Sequence, residues 1–246
     1  MNKFVPDVIL GQFGPELTAE GFDPRIQFSV FRMLSNIKIL IWDFDGTLFK
    51  PNEGFFAAVR EAEFQVLMKH KHWTRLQAEG EFQKIYKVLY PSATQTIGVL
   101  AGISTAQAAR EMENLFDRRN FVSRDEKLIA LFAQLKNYRH IMFGNGIMAK
   151  HKETLPVLGI SPDTFELYVT SEIVGKTKPS PDGFQYILDY TNLPPNEHLM
   201  IGDRDLVDLA PAQALGMHTC LVWSSAPTPH ADITIPSTYD LLQYLC

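Results

Sequence analysis

Apolar and polar positions change their spacing twice along this chain. Residues 37–42, IKILIW, are apolar except for Lys38, the pattern of a strand buried on both faces, and the run stops at Asp43-Phe44-Asp45-Gly46-Thr47. Ligands of open α/β sheets bind beyond the carboxyl ends of the strands, so two acids at this place point to a site. Side chains alternate along an extended chain; Phe44 therefore turns away while Asp43 and Asp45 face one crevice.

After Thr47 the period becomes helical. Residues 53–70 place Phe56, Val59, Ala62, Phe64, Val66 and Leu67 three to four apart, and 73–89 repeat the pattern with Leu76, Phe82, Ile85 and Leu89 before Pro91 stops it. A short helix fits 94–100. Ser104 then caps a helix over 105–119 with Ala108, Met112, Leu115 and Phe116 on one stripe. Residues 50–123 are thus predicted to form an all-helical cap, with Phe55, Phe56 and Tyr86 in its own core.

The second change comes at Ser123-Arg124-Asp125-Glu126, a capping box that opens a helix running to about residue 137. Strands are predicted at 139–143, 165–169, 198–201 and 217–223. Helices are predicted at 147–158, ended by Gly159, and at 181–191 and 205–215. Strict alternation with tight connections implies an α/β fold, a doubly wound parallel sheet covered on both faces. Its core takes in 36–49 and 124–246, with the cap inserted between. Residues 1–35, broken by Gly11, Gly14, Pro15, Gly21 and Pro24, read as an N-terminal arm.

Composition narrows the function classes. With 246 residues, 46% of them hydrophobic, there is ample material for a core. A net charge of -5 with no dense Lys/Arg cluster argues against a nucleic-acid partner. Cys220 and Cys246 have no metal-ligand spacing and suit a reducing compartment. No apolar run reaches the roughly 20 residues of a membrane span, and Pro6 and Asp7 interrupt any leader. A cytoplasmic protein with no membrane partner is expected; oligomeric state is not encoded legibly.

The chemistry-bearing residues all follow apolar strands: Asp43 and Asp45, Asn145, Lys178 in a loop before a helix, then Asp203 and Asp208. Carboxylates gathered without a cation repel one another, and an all-oxygen ligand set favours a hard ion, Mg²⁺ by preference. Asp208 alone would also serve as a cap in a first helical turn, and Lys176 competes with Lys178. His140, His151, His198 and His218 read as packing or surface residues rather than bases.

Taken together, DFDGTLF at 43–49, the strand end at 143–146, Lys178-Pro179 and GDRDLVD at 202–208 resemble, in order, the four motifs of the haloacid dehalogenase-like superfamily. The likeness is greatest to its phosphatases with a helical cap, the group of phosphoglycolate phosphatases and some nucleotidases. That resemblance implies a Rossmann-like core. It makes Asp43 the nucleophile that becomes an aspartyl phosphate, and Asp45 the acid and then base, whose main-chain carbonyl also binds Mg²⁺. It makes Lys178 the neutraliser of charge on Asp43 and the phosphoryl group, and adds Asp203 and Asp208 to the metal site. Gly144 and Asn145 would face the phosphoryl group. Gly144 departs from the pattern, because the family usually has a Ser or Thr hydroxyl there; a main-chain N–H of Asn145 or Gly146 is expected to replace it. One donor fewer costs on the order of 10² to 10³ in rate. The expected activity is Mg²⁺-dependent hydrolysis of a small soluble phosphate ester. The alternatives are a haloacid dehalogenase, a phosphomutase, or a non-catalytic protein binding a phosphorylated ligand or partner.

Overall fold

The computed structural model describes residues 34–245; the expected N-terminal arm, apart from its last residues, and Cys246 lie outside the described residues. In chain order the described elements are β1 (Ile39–Trp42), α1 (Glu53–Lys71), α2 (Arg75–Ile85), α3 (Ala93–Ala101), α4 (Thr105–Glu113), α5 (Glu126–Gln134), β2 (Arg139–Phe143), α6 (Met148–Leu158), β3 (Leu167–Val169), α7 (Ser171–Val174), α8 (Asp182–Thr191), β4 (His198–Gly202), α9 (Ala210–Ala214), β5 (His218–Leu221), β6 (Ile233–Thr234) and α10 (Leu242–Leu245). The six strands form one parallel sheet in the order β3-β2-β1-β4-β5-β6.

The central strand is the one whose sequence is apolar on both faces. Leu40 and Trp42 of β1 pack with Leu128 and Leu131 of α5 and Leu155 and Leu158 of α6. Ile39 and Ile41 pack on the other face with Phe184 and Ile187 of α8 and Leu209 and Ala212 near α9. The sheet is therefore doubly wound, as the alternation of elements predicts. Register decides where the site falls: Trp42 pairs with Met142 on one side and Ile201 on the other. The residues just beyond these three, on parallel strands, emerge together at one edge.

Helices α1 to α4 are inserted between β1 and β2 and bury a cluster of their own around Phe64, Leu67, Phe82, Ile97 and Met112. Each starts on a side-chain acceptor: Asn52, Thr74 in a capping box with Gln77, Ser92 and Ser104. The stripe read from the sequence needs correction, since Phe56, Leu76, Leu89 and Leu115 are exposed. Three-and-four spacing identifies a face but not its angular limits, and these four lie beyond them.

Element ends also differ. The helix expected over 105–119 stops at Glu113, and a 3₁₀ turn, Arg118–Phe121, follows with Asp117 accepting from the N–H of Arg119. Asp125, not Ser123, caps α5: its Oδ1 accepts from the N–H groups of Lys127 and Leu128, both at 3.0 Å. The stretch 205–215 opens with a wide π turn, Asp205–Leu209, before α9. Pro211 has no N–H to continue an α-helical ladder at that point. β6 was not foreseen. Among the described residues no helix is long and apolar enough to cross a membrane.

Candidate active site

Asp43 follows β1 and is 3% exposed. Its Oδ2 accepts from Thr47 Oγ1 at 3.2 Å, and its Oδ1 accepts from Lys178 Nζ at 2.6 Å. Lys178, in the loop between α7 and α8, is fully buried, and its Nζ also lies 2.7 Å from Asp208 Oδ1. A buried ammonium is costly unless neutralised, and here two carboxylates grip it. The other candidate, Lys176, turns outward to Asp182 at 2.9 Å.

Asn145 sets the height of that lysine. Its Oδ1 accepts from the N–H of Lys178 at 2.8 Å and its Nδ2 donates to the Lys178 carbonyl at 3.2 Å. Both ends of the amide are thus engaged by main chain, which gives Asn145 a positioning contact with the lysine loop. The N–H of Gly144 donates to the Val169 carbonyl at 3.1 Å, continuing the sheet.

Beyond β4, Asp203 faces Asp43 across the edge, and Asp208 reaches the same place from the π turn, fully buried, with Oδ2 accepting from the N–H of Arg204 at 3.1 Å. One oxygen from each of Asp43, Asp203 and Asp208 lies within 4.8 Å of the others. Gly46 makes the approach possible. Its φ is +89°, and a Cβ there would sit 2.4 Å from Asp203 Oδ2. Burial and the neighbouring Asp43 and Asp208 push the Asp203 carboxyl up to about 7. Burial likewise raises Asp208, with Lys178 opposing. Among the described residues Asp203 Oδ1 is buried without a hydrogen-bond partner, and Arg204 Nε lies 3.8 Å from it. Three convergent carboxylates with an unsatisfied oxygen suit a hard divalent cation.

The Asp45 carboxylate lines the same cavity and is held by Arg118. Arg118 Nε lies 2.8 and 3.1 Å from its two oxygens and Arg118 NH2 2.7 Å from Oδ2. Arg118 also binds Glu113, so one buried guanidinium joins the inserted helices to the strand end. Burial raises the Glu113 carboxyl, opposed by Arg118. Neither residue stood out in the sequence, since both lie outside every motif.

His151, expected as a packing or surface residue, is buried. Its ring stacks on Phe44 with centroids 4.4 Å apart, and it lines the same cavity as Asp43 and Gly144. Burial, then the charges of Arg118 and Lys178, hold it well below the usual histidine range, so the ring is neutral. By contrast, His140 is tied to Trp42 and the Leu135 carbonyl, and His198 to Thr191 and the Pro194 carbonyl, within the core.

The cavity holds about 710 Å³. Of the aromatics expected in the core, Phe55 is buried and Tyr86 packs on the cluster of the inserted helices while Phe56 is exposed, and all three line the cavity together with Phe116. Above them Glu63 is buried, its carboxyl pushed up to about 7 by desolvation while Arg60, 2.5 Å away, pulls the other way. The arrangement combines a desolvated carboxylate held by a lysine, a cluster of acids beside it, and a roomy vestibule lined by both aromatic and charged side chains.

The match of this chain to known proteins agrees with that geometry. Residues 37–216 match the family model described as haloacid dehalogenase-like hydrolase. A glyceraldehyde 3-phosphate phosphatase of Methanocaldococcus jannaschii is 34% identical over 103 residues, a stretch that covers 40% of this chain and only 45% of that relative. A HAD phosphatase from Thermococcus onnurineus superposes with a TM-score of 0.59 at 18% identity, covering 83% of this chain and 96% of the other. A HAD-hydrolase from Bacillus subtilis bound to magnesium gives 0.57 at 17%, covering 85% and 98%. A 2-haloacid dehalogenase from Pseudomonas syringae gives 0.53 at 20%, covering 85% and 97%, so the shared fold spans more than one chemistry. With the family model spanning most of its length and the ordered strand-end residues in place, this chain belongs to the haloacid dehalogenase-like hydrolases.

Proposed function

We propose that this hydrolase is a Mg²⁺-dependent phosphomonoesterase, acting in the cytoplasm on a small soluble phosphate ester. The observation that carries the reading is the position of Lys178, buried between Asp43 and Asp208 at 2.6 and 2.7 Å, with Asp203 completing an acidic cluster beside them. Asp43 attacks phosphorus and forms an aspartyl phosphate; water then attacks that phosphorus and frees inorganic phosphate. Lys178 holds Asp43 in place and offsets the charge of the incoming phosphoryl oxygens. Phosphoryl transfer depends mainly on such alignment and charge cover.

Asp45 protonates the leaving alkoxide and later takes the proton of the attacking water. To do so its carboxyl rotates off Arg118, which holds it in the arrangement described. Asp43, Asp203 and Asp208, with the main-chain carbonyl of Asp45, would hold Mg²⁺, which supplies charge stabilisation of the transferring group when bound. The inserted helices act as a cap, and the vestibule receives the leaving group and excludes water.

The dehalogenase reading has less support. Displacement of halide by a carboxylate needs neither a leaving-group acid nor an acidic cluster, and Asp45, Asp203 and Asp208 would be idle. The test is a screen of phosphorylated metabolites and 2-haloacids with and without Mg²⁺. Phosphate release that requires Mg²⁺ supports the proposal; halide release without phosphate release overturns it.

A further inference from the structure

The residue standing in for the absent hydroxyl at position 144 is legible in the packing around it. A Cβ on Gly144 would lie 2.4 Å from His151 Cε1 and 3.0 Å from Nε2. One on Gly146 would lie 2.9 Å from the same Nε2 and 2.5 Å from Glu113 Oε1. The loop has therefore given up side chains at both places, and an imidazole occupies the volume that a hydroxyl-bearing side chain at 144 would need. The ring comes from the first turn of α6, the helix that follows this loop, and is clamped against Phe44 between the two strand-end acids.

The position of the proton follows from its surroundings. A neutral imidazole carries one N–H. Nδ1 is buried with no hydrogen-bond partner among the described residues. A proton there would be a donor without an acceptor, whereas Nε2 is packed against the Gly144 and Gly146 wall of the cavity, where a ligand oxygen would accept from its N–H. The N–H of Gly144 is already engaged by Val169 and is not available for a ligand.

We propose that His151 is the phosphoryl-oxygen donor of this site, its Nε2–H replacing the hydroxyl that position 144 lacks. The inference rests on the phosphomonoesterase reading and deepens it. Gly144 and His151 form an exchangeable pair: a small residue at 144 with an imidazole at 151, or a hydroxyl at 144 with a small residue at 151.

The experiment compares His151→Phe, His151→Gln, Gly144→Ser and the double variant Gly144→Ser/His151→Ala with the parent protein. It measures kcat and KM on the best substrate of the screen, and the affinity for orthovanadate with Mg²⁺ by calorimetry, with melting temperature as the folding control. His151→Phe keeps the stack on Phe44 and removes the donor; it should lower kcat on the order of 10² to 10³ with a small change in KM and weaken vanadate in parallel. His151→Gln should recover part of the loss. Gly144→Ser alone should be strongly impaired, and adding His151→Ala should restore activity above either Gly144→Ser or His151→Phe. Parent-like kcat and vanadate affinity in His151→Phe overturn the assignment. If that variant does not fold, a double variant no better than Gly144→Ser alone overturns it. A parent protein that releases no phosphate and binds no vanadate overturns the phosphomonoesterase reading itself, and the donor role with it.

Discussion

Arg118 NH2 lies 2.7 Å from Asp45 Oδ2, so a residue of the segment returning from the inserted helices holds the second acid of the first strand end. The same guanidinium neutralises Glu113, and both Arg118 and Glu113 are buried. Removing the arginine alone strands a carboxylate in a desolvated place, which costs more than the pair is worth. Arg118→Met is expected to lower unfolding free energy by about 3 to 5 kcal/mol. Arg118→Met/Glu113→Gln should regain most of that in urea denaturation. Equal stability of the single variant and the parent would mean that Glu113 needs no partner.

Gly46 is expected to govern the acidic cluster from a position that carries no ligand atom. A methyl group there meets Asp203 Oδ2 at 2.4 Å and has to adopt a φ of +89°. Gly46→Ala should reduce Mg²⁺ affinity roughly 10- to 100-fold, as changes in supporting residues of metal sites do. Isothermal calorimetry on the folded variant checks this, and unchanged affinity would show that Asp203 is free to move aside.

Glu63 links stability to pH. Its carboxyl sits near 7 in the folded protein against an ordinary value of 4.5. The folded state then holds more protons than the unfolded state between these values, so stability falls as pH rises through that window. The contribution is fully present below about 4.5 and lost above about 7. Its size is on the order of 3 kcal/mol. Glu63→Gln should flatten this part of the curve, as read from urea midpoints at several pH values; an unchanged slope would contradict the assignment.

Four strand ends were legible in the sequence because a buried parallel strand is a short unbroken apolar run, and an acid or glycine at its end stands out. Asp43, Asp45, Asp203 and Asp208 were found that way, and Lys178 by its place in an ordered set. Arg118, Glu113 and His151 left no such trace. Their partners are far along the chain or across a loop, and a pairing between Arg118 and Asp45 produces no periodic pattern. A histidine in a helix reads as packing, and His151 is indeed packed against Phe44; the close approach of the Gly144 loop to its ring is a tertiary feature with no sequence pattern. The same limit explains Ser123 and Asp125: two acceptors two residues apart both satisfy a capping pattern, and the backbone selects one.

With its carboxyl near 7, Asp203 is expected to give metal binding a pH dependence. A ligand oxygen that is protonated has to lose its proton before it can bind Mg²⁺, so affinity should fall as pH drops below about 7, toward roughly tenfold per unit while one proton is displaced. Calorimetric titrations in buffers of different ionisation enthalpy would report that proton. Chelation of the ion should abolish phosphate release, and its return should restore it.

Asp43 is the group expected to receive the phosphoryl moiety. Acid quenching during turnover, followed by mass mapping of the peptide that contains residue 43, should find one phosphoryl group on Asp43 in the parent protein and none in Asp43→Asn, whose phosphate release should vanish. Phosphate release at the parent rate from Asp43→Asn, with no acid-stable mark on that peptide in either protein, would contradict it.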